Sequence, residues 1–262
     1  MLTFFSQNVW NHNPCEYRIG LIRSLIADCK ADVCMFQECG PYSVRKGTNP
    51  IQKRMSDGYA ENCSSVADKN YTPVFCKKER FAVLDEGYLL YDGLNDADSK
   101  SVSWVVLRDV TDGATFAAAS THFWWMAASE KDFEQRLANV DQLKAVCDGI
   151  VAKHGVPVII GGDFNNGKNA DQGDAPYRKM LSLGFRDVRL IAASTTDTLT
   201  HHSDPVEMPD ETFRKGELPV RTLDHLFVYG AFTGKAVSFS VLTSDEALAS
   251  SDHCPLIAEI VL

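Results

Sequence analysis

Polar residues stand at the ends of four short apolar segments, and this pattern constrains the fold more than any other feature of the sequence. The apolar segments are residues 4–5, 33–36, 116–119 and 158–160. Side chains that bind cations or transfer protons come shortly after them, namely Gln7-Asn8, Gln37-Glu38, Thr121-His122 and, after two glycines, Asp163. Short apolar runs of this kind are typical of buried β-strands. Their shared ending predicts that four strands bring these groups to one edge of a sheet.

The pattern reverses near the carboxyl end, where polar residues precede the apolar segments. Asp224-His225 stands before residues 226–228, and Ser251-Asp252-His253 stands before residues 256–262. If these last strands run antiparallel to the first four, all six polar clusters meet at one edge of a mixed sheet. Such convergence is typical of an active site rather than of scattered surface charge.

Two longer segments have the 3.6-residue periodicity of amphipathic helices. The first covers residues 15–30, and the second covers residues 129–154, with Ser129 as a plausible N-cap and Gly155 as a plausible stop. The apolar stripes are Ile19, Ile22, Leu25 and Ile26 in the first, and Phe133, Leu137, Val140, Leu143, Cys147, Ile150 and Val151 in the second. Both helices are predicted to cover a sheet. No repeat or linker divides the chain, so we expect one domain over residues 1–262.

The composition is that of a globular protein, with 45% hydrophobic and 23% charged residues. No apolar run approaches the roughly 20 residues that a membrane span needs, and the first residues have no signal-peptide features. None of the eight cysteines forms a Cys-x-x-Cys pair, and we interpret them as reduced thiols. We therefore expect a cytoplasmic protein.

The net charge of −9 and the pI near 5.2 argue against an obligate nucleic-acid binder. The argument is weak for a metal enzyme, because carboxylates around a cation add negative charge that the ion offsets. The basic residues of one locally basic stretch are Arg45, Lys46, Lys53, Arg54, Lys77, Lys78 and Arg80. A solvated surface is favoured for them over a patch that binds substrate phosphate.

The segment Gly161-Gly162-Asp163-Phe164-Asn165 combines close backbone approach with a carboxylate and an amide two residues apart. In an extended chain, Asp163 and Asn165 share one face and Phe164 points into the core. The carboxylate could orient or deprotonate water, and the amide could hold a phosphate oxygen. An ordinary turn after a strand is an equally good interpretation of this segment alone.

The triplet Ser251-Asp252-His253 offers a histidine that could act on a charged transition state and an aspartate for a metal. A lone histidine is more often structural. Asp224 strengthens the functional interpretation, because it begins another predicted strand near the same edge. A carboxylate that accepts from one imidazole nitrogen fixes the tautomer and raises the basicity of the other.

Glu38 is the best single candidate for a ligand to a hard cation, since Mg²⁺ prefers oxygen ligands and needs only one or two carboxylates. Asn8 could supply an amide oxygen or a water contact nearby. An inert glutamate at a strand end is the commoner case. His122, beside Phe123-Trp124-Trp125, has a similar alternative as a structural histidine.

The order of these groups along the chain is more specific than any one of them. The chain resembles the endonuclease/exonuclease/phosphatase superfamily, from Gln7-Asn8 to residues 251–253, and residues 162–165 and 251–253 are the most specific pieces. Residues 223–228 resemble the family's Ile-Asp-Tyr-Ile-Phe strand, with His225 where an aromatic is commoner. The resemblance implies an α/β fold, a four-layer α/β/β/α sandwich with two mixed, mainly antiparallel sheets. It also implies a Mg²⁺-dependent phosphoric ester hydrolase.

The resemblance assigns three of the candidates to the metal. Glu38 matches the principal Mg²⁺ ligand, and Asn8 and Asp252 match groups of the metal and phosphate shell. Mn²⁺ is an alternative ion, and the number of ions, one or two, stays open.

The other five candidates match catalytic groups of the family. Asp163 corresponds to the residue that orients or activates the attacking water, and Asn165 to the residue that positions phosphate. His253 corresponds to the histidine that opposes the developing charge, with Asp224 as its orienting partner. His122 corresponds to a histidine that contacts the scissile phosphate.

For three segments, the resemblance to the family does not assign a clear role. Thr72-Pro73 stands where relatives often carry an Asn or Arg that touches phosphate. The Trp124-Trp125-Met126 stretch could line a substrate pocket, but core packing is favoured. His201-His202 could face the site as in deadenylase-like members, but surface histidines are favoured.

The favoured substrate is a small phosphorylated or lipid-derived molecule, cleaved as a phosphomonoester or phosphodiester. The alternative is a nuclease or deadenylase acting on single-stranded nucleic acid or DNA. A binding module that has lost turnover is disfavoured, because none of the core acids or histidines is missing. The sequence makes no prediction about the oligomeric state.

Overall fold

The computed structural model describes residues 1–10, 16–39, 50–61, 70–165, 175–196 and 199–262. Several sequence-based interpretations lie outside these ranges, namely those for Cys15, Arg45, Lys46 and Cys63. The side chain of Lys53 is also outside the description.

Fifteen strands and six helices are present in the described residues. The strands are β1 (Leu2–Asn8), β2 (Val33–Gln37), β3 (Tyr59–Glu61), β4 (Val74–Lys77), β5 (Phe81–Leu90), β6 (Ser101–Asp109), β7 (Thr115–His122), β8 (Val158–Asp163), β9 (Arg186–Asp187), β10 (Ser194–Thr195), β11 (Val206–Glu207), β12 (Phe213–Arg214), β13 (Asp224–Tyr229), β14 (Lys235–Val241) and β15 (Leu256–Val261). The helices are α1 (Glu16–Cys29), α2 (Pro50–Met55), α3 (Glu130–His154), α4 (Ala175–Ser182), α5 (Val188–Ile191) and α6 (Asp245–Ser250).

Two large sheets contain most of the strands. One has the order β10-β14-β15-β1-β2-β4-β3, and the other has the order β5-β6-β7-β8-β13-β9. Strands β1 and β2 are parallel, as are β7 and β8, whereas β15 is antiparallel to β1 and β13 is antiparallel to β8. The predicted directions are therefore confirmed. The polar strand ends belong to two sheets, however, and not to the single sheet edge that we expected.

Three apolar clusters show how the layers pack. The central cluster joins both sheets, for example through Phe4 and Met35 on one side and Phe116 and Ile159 on the other. A second cluster lies between the outer face of the β7–β8 sheet and helices α3 and α4, and a third lies between the other sheet and helices α1 and α2. This arrangement confirms the predicted four-layer α/β/β/α sandwich with mixed, mainly antiparallel sheets.

The two long helices follow the sequence pattern closely. Helix α1 buries the predicted stripe, and α3 begins after Ser129, whose side chain accepts from Asp132 N in a capping box. Gly155 ends α3 in the left-handed conformation, with φ 67°. The first turns of α3 differ from the prediction, because they bury Gln135 and Asn139 and leave the apolar side chains there only half-buried. These buried amides hold the loops that border the site described below.

The described basic residues of the predicted solvated surface make structural contacts. Arg54 pairs with Glu16, and both Lys77 and Arg80 pair with Asp32. The six cysteines within the described ranges are free thiols, as expected. Among the helices in the described part of the chain, none is both long enough and apolar enough to cross a bilayer.

Candidate active site

A cavity of about 400 Å³ opens where the polar strand ends of the two sheets face each other. Six of the eight predicted site residues line it, namely Glu38, His122, Asp163, Asn165, Asp252 and His253. The other two, Asn8 and Asp224, are buried directly behind this wall. The structure therefore brings all eight predicted residues together.

Asp163 is at the centre of the cluster and is 2% exposed. Its Oδ2 accepts from Asn8 Nδ2 at 3.0 Å, and its Oδ1 accepts from Asn165 N at 2.9 Å. The Nε2 atoms of His122 and His253 lie 3.4 and 3.8 Å from the same Oδ2. Strand register explains this position, since Asp163 is opposite His122 on β7 and opposite Asp224 on β13.

Two glycines before Asp163 let the backbones approach closely, as predicted. A Cβ on Gly162 would lie 2.5 Å from the carbonyl oxygen of Thr121, and one on Gly161 would lie 2.7 Å from Ser6 Oγ in the facing sheet. Any larger residue would push the β8 strand end away from its neighbours.

Asn8 connects Asp163 with Glu38. The same Nδ2 donates to Glu38 Oε1 at 3.0 Å, while Asn8 Oδ1 accepts from Trp10 N at 3.0 Å. The amide therefore presents its donor, not its oxygen, to the two carboxylates. In this orientation Asn8 orients the acids around the cavity.

Asn165 does not continue the strand as we expected for an extended segment. Its φ is 50°, in the left-handed region, and its Nδ2 donates to Phe123 O at 3.0 Å. Phe164 is nevertheless fully buried, as predicted. Trp10 and Glu38, which also line the cavity, have φ values of 53° and 60°. Non-glycine residues in this region cluster where surrounding structure enforces a functional geometry.

His253 and Asp224 form a buried ion pair. His253 Nδ1 lies 2.9 Å from Asp224 Oδ2. The hydroxyl of Thr200 accepts from the backbone N–H groups of Leu223 and Asp224, so its proton is donated to Asp224 Oδ2, at 2.6 Å. Two donors therefore face this carboxylate, which fits its ionised form.

Both members of this pair have a raised pKa. Burial raises the pKa of Asp224. Burial also lowers the pKa of His253, but the charges of Asp224, Asp252 and Asp163 outweigh it and raise that pKa well above its ordinary value. Because donors surround the Asp224 carboxylate, we interpret the pair as imidazolium and carboxylate. His253 therefore presents a cationic Nε2–H to the cavity.

His122 has the opposite charge state. Burial, together with the positive charge of Lys100, lowers its pKa, so the ring is neutral. Lys100 Nζ lies 3.3 Å from Nε2 and 3.4 Å from Nδ1 of this ring, and Lys100 is 5% exposed. Lys100 is not among the residues predicted from the sequence. The sequence shows only a lysine immediately before a β-type segment, which is common on solvated edges.

Glu38 and Asp252 are two acids of the cavity wall whose charges repel each other. Burial and the negative charge of Glu38 raise the pKa of Asp252 to about 6, although His253 opposes the shift. Burial also raises the pKa of Glu38, but the basic groups around it, Lys100 among them, and the hydrogen bond from Asn8 outweigh it and lower that pKa. A cation between the acids would relieve their repulsion, and oxygen donors suit Mg²⁺ or Mn²⁺. Glu38, His122 and Asp163 offer ligand atoms within 4.8 Å of one another.

The Thr200–His202 loop was not placed correctly by the sequence analysis. His202 is 2% exposed, and His201 lines the cavity with its ring centroid 4.8 Å from that of His253. His201 Nε2 lies 3.9 Å from Asp252 Oδ2. The favoured interpretation as surface histidines is therefore wrong. No strand or helix pattern marks this segment, so its position depends on tertiary contacts alone.

The predictions for the other residues named in the sequence analysis have mixed outcomes. Thr72 is buried and its hydroxyl lies 3.0 Å from Ser101 Oγ, so it supplies no cavity wall. His225 lies against the outer face, with its ring 4.8 Å from Tyr177. Trp124 is buried, as favoured, whereas Trp125 is 41% exposed and lines the cavity.

Several solved structures share this fold. The mannosyl-6-phosphatase of Bacteroides thetaiotaomicron is 17% identical with a TM-score of 0.73, and the alignment covers 100% of both chains. The human Nocturnin catalytic domain with bound sulfate is 18% identical with a TM-score of 0.70, over 99% of this chain and 94% of that one. D. rerio TDP2 complexed with a single-strand DNA product is 16% identical with a TM-score of 0.66, over 100% and 99%. These likenesses establish the fold.

A search among curated proteins finds no significant match. The sequence model of the endonuclease/exonuclease/phosphatase family matches residues 5–253, from the middle of β1 to the cavity residue His253. The chain therefore belongs to the endonuclease/exonuclease/phosphatase family.

Proposed function

We propose that this protein is a metal-dependent phosphoesterase that hydrolyses a small phosphorylated molecule. The supporting observation is the surroundings of Asp163, which lies between a neutral His122 and a cationic His253. A carboxylate base next to an imidazolium combines a group that activates water with a group that stabilises negative charge. We further propose that residues 1–262 act as one domain.

In this proposal, Glu38 and Asp252 hold Mg²⁺ or Mn²⁺, and Asn8 orients Glu38 through its amide. When bound, the ion supplies Lewis-acid polarisation of a phosphoryl oxygen. Lys100 and His253 give the cavity further positive charge around the phosphate. Asn165 contributes to the wall nearest Asp163.

Hydrolysis follows from the positions of the protein groups. Asp163 orients a water molecule and accepts a proton from it as the oxygen attacks phosphorus. His253 opposes the charge that develops on the phosphoryl oxygens, and Asp224 holds its ring in position. The P–O bond to the leaving group breaks with its electron pair on the leaving oxygen, and the released alkoxide takes a proton from solvent, to which Asp163 gives up the proton that it accepted. The products are an alcohol and phosphate, or a phosphomonoester if the substrate is a diester.

A small substrate is favoured by the charge of the molecule and of the cavity. The chain carries a net charge of −9, and the cavity is lined by Glu38, Asp96, Asp163 and Asp252. A nucleic-acid backbone is usually held by clustered Lys and Arg. A nuclease is the second candidate, because TDP2, which shares the fold, was solved with a single-strand DNA product.

Removal of the metal tests the first part of this proposal. We expect EDTA to abolish hydrolysis of a chromogenic phosphomonoester, and excess Mg²⁺ or Mn²⁺ to restore it, because the buried acids otherwise repel a substrate phosphate. Phosphate release is measured before and after addition of the metal. Full activity in excess chelator would contradict the proposal.

Asp224→Asn tests the orienting role of the buried pair. We expect kcat to fall about 10- to 100-fold, the usual effect of removing a partner that orients a working histidine. Mg²⁺ affinity, measured by titration calorimetry, should stay close to that of the wild type because Asp224 is behind the cavity wall. An unchanged kcat would exclude an orienting role.

A further inference from the structure

Two residues at the mouth of the cavity, Trp125 and Asp96, have no role in the proposed hydrolysis. Trp125 is 41% exposed and lines the cavity, and its indole N–H donates to the carboxylate of Asp96, which is also exposed and also lines it. An exposed indole next to an acceptor-only carboxylate is an unusual rim for a phosphate site, because the charge of Asp96 repels a second phosphate.

The Asp96 loop is held in a fixed conformation. Asn95 donates to Tyr91 O at 3.1 Å and Lys100 O at 2.9 Å, and accepts from Lys100 N at 2.8 Å, so it closes the loop at both ends. Ala97 and Asp98 both have positive φ values, 47° and 62°. Backbone strain of this kind persists only where other contacts enforce it.

The Trp125 side is anchored as well. The preceding Trp124 is buried, with its indole N–H donating to Asp132 Oδ1 at 2.8 Å and its backbone N–H to Asn139 Oδ1 at 3.0 Å. Arg136 donates to the backbone oxygen of Met126 on the other side. The indole is therefore presented by backbone that is fixed before and after it.

One loop connects this rim to the phosphate end of the cavity. Lys100 lies beside His122, and Asp96, four residues earlier, is at the mouth. Among the described residues that line the cavity, Lys100 is the one Lys or Arg. In the described part of the chain, the cavity therefore combines a positively charged end for a phosphate group with a negative, aromatic rim for the part of the substrate that carries it.

We infer that the substrate is a monophosphate ester of a neutral, polyhydroxylated ring, such as a hexose or a cyclitol. The apolar face of the ring packs on the Trp125 indole, and its hydroxyl groups donate to Asp96. A cavity of about 400 Å³ is in the size range of small-molecule sites. This inference rests on the proposed function and specifies its leaving group, which departs as the ring alcohol when water takes the phosphoryl group.

A pair of matched substrates tests whether Asp96 recognises hydroxyl groups. The substrates are a hexose 6-phosphate and cyclohexylmethyl phosphate, which has a ring of the same size without hydroxyls. For Asp96→Asn, which keeps an acceptor for the indole N–H, we expect kcat/KM to fall roughly tenfold for the hexose ester. The loss for the cyclohexyl ester should be much smaller, so the ratio of the two values reports the hydroxyl contact.

Trp125→Ala tests the stacking surface in the same assay, and we expect a loss of kcat/KM of about tenfold for the hexose ester. Met126→Ala is the matched control, because Met126 is the next residue and 38% exposed but does not line the cavity. Circular dichroism and thermal unfolding confirm that each variant is folded.

Three results would overturn the inference. They are an equal loss for both esters in Asp96→Asn, a Met126→Ala effect as large as that of Trp125→Ala, and faster wild-type hydrolysis of a single-stranded oligonucleotide or of AMP than of any hexose or cyclitol monophosphate. If no ester in the panel is cleaved with Mg²⁺ or Mn²⁺, the proposed function fails and the inference fails with it. Cleavage with the wrong selectivity affects the inference alone.

Discussion

Asp163→Asn should lower kcat by about 10²- to 10⁴-fold, the range expected when a general base is removed. Asn cannot accept the proton of the attacking water, although it has almost the same shape as Asp. The position also loses the negative charge that faces His122 and His253, at 3.4 and 3.8 Å. Phosphate release under saturating substrate and metal measures the effect.

The same variant should also reduce stability modestly. Asp163 accepts from Asn8 Nδ2 and from Asn165 N, and an amide can offer an acceptor to only one of these donors. One buried donor is then unsatisfied, which costs about 1–3 kcal/mol of the free energy of unfolding. Urea denaturation measures this cost, and the kinetic loss must be far larger than any unfolded fraction explains.

Asp141→Asn is the matched control, because Asp141 is an exposed acid on α3 that pairs with Lys179. It removes the same charge from the chain without touching the cavity, so kcat should be unchanged. Wild-type kcat in Asp163→Asn would remove Asp163 from the reaction and leave the proposed mechanism without a base.

The sequence pattern was sufficient to predict the positions of the site residues at strand ends. Asn8, His122, Asp163 and Asp224 are the terminal residues of β1, β7, β8 and β13. The position of each polar residue relative to its apolar run places it at one end of a strand, and the relative strand directions then bring these ends together. The pattern does not identify the sheet to which each strand belongs, which explains why we expected these strand ends at one sheet edge, whereas they belong to two facing sheets.

The positions of cavity residues on loops could not be predicted in the same way. Lys100, Trp125 and His201 all line the cavity, yet each is placed by tertiary hydrogen bonds of its loop. Asn95, for example, closes the loop that carries Lys100, and nothing in its local sequence indicates those partners. The same limit applies to Asn165, whose left-handed backbone depends on a bond to Phe123 O.

The charge states of the two histidines could not be predicted from the sequence, for a different reason. His122 and His253 look equivalent in the sequence, but burial beside Lys100 keeps one neutral, and three carboxylates keep the other protonated. The division of labour between the two histidines therefore follows from their neighbours across the strands, and only a folded chain defines those neighbours.

Glu38→Gln should weaken Mg²⁺ binding and lower kcat/KM by about 10³-fold at a fixed, limiting metal concentration, since an electrophilic ion contributes several kcal/mol to such a transition state. Gln keeps an oxygen that can accept from Asn8 Nδ2, so the loss reports the charge and not the packing. Glu134→Gln on the exposed face of α3 is the matched control, and it should match the wild type. Calorimetric titration with Mg²⁺ and activity over a range of Mn²⁺ concentrations separate weaker binding, which excess ion rescues in part, from loss of a group needed in the chemical step. Wild-type metal affinity in Glu38→Gln would remove Glu38 from the metal site.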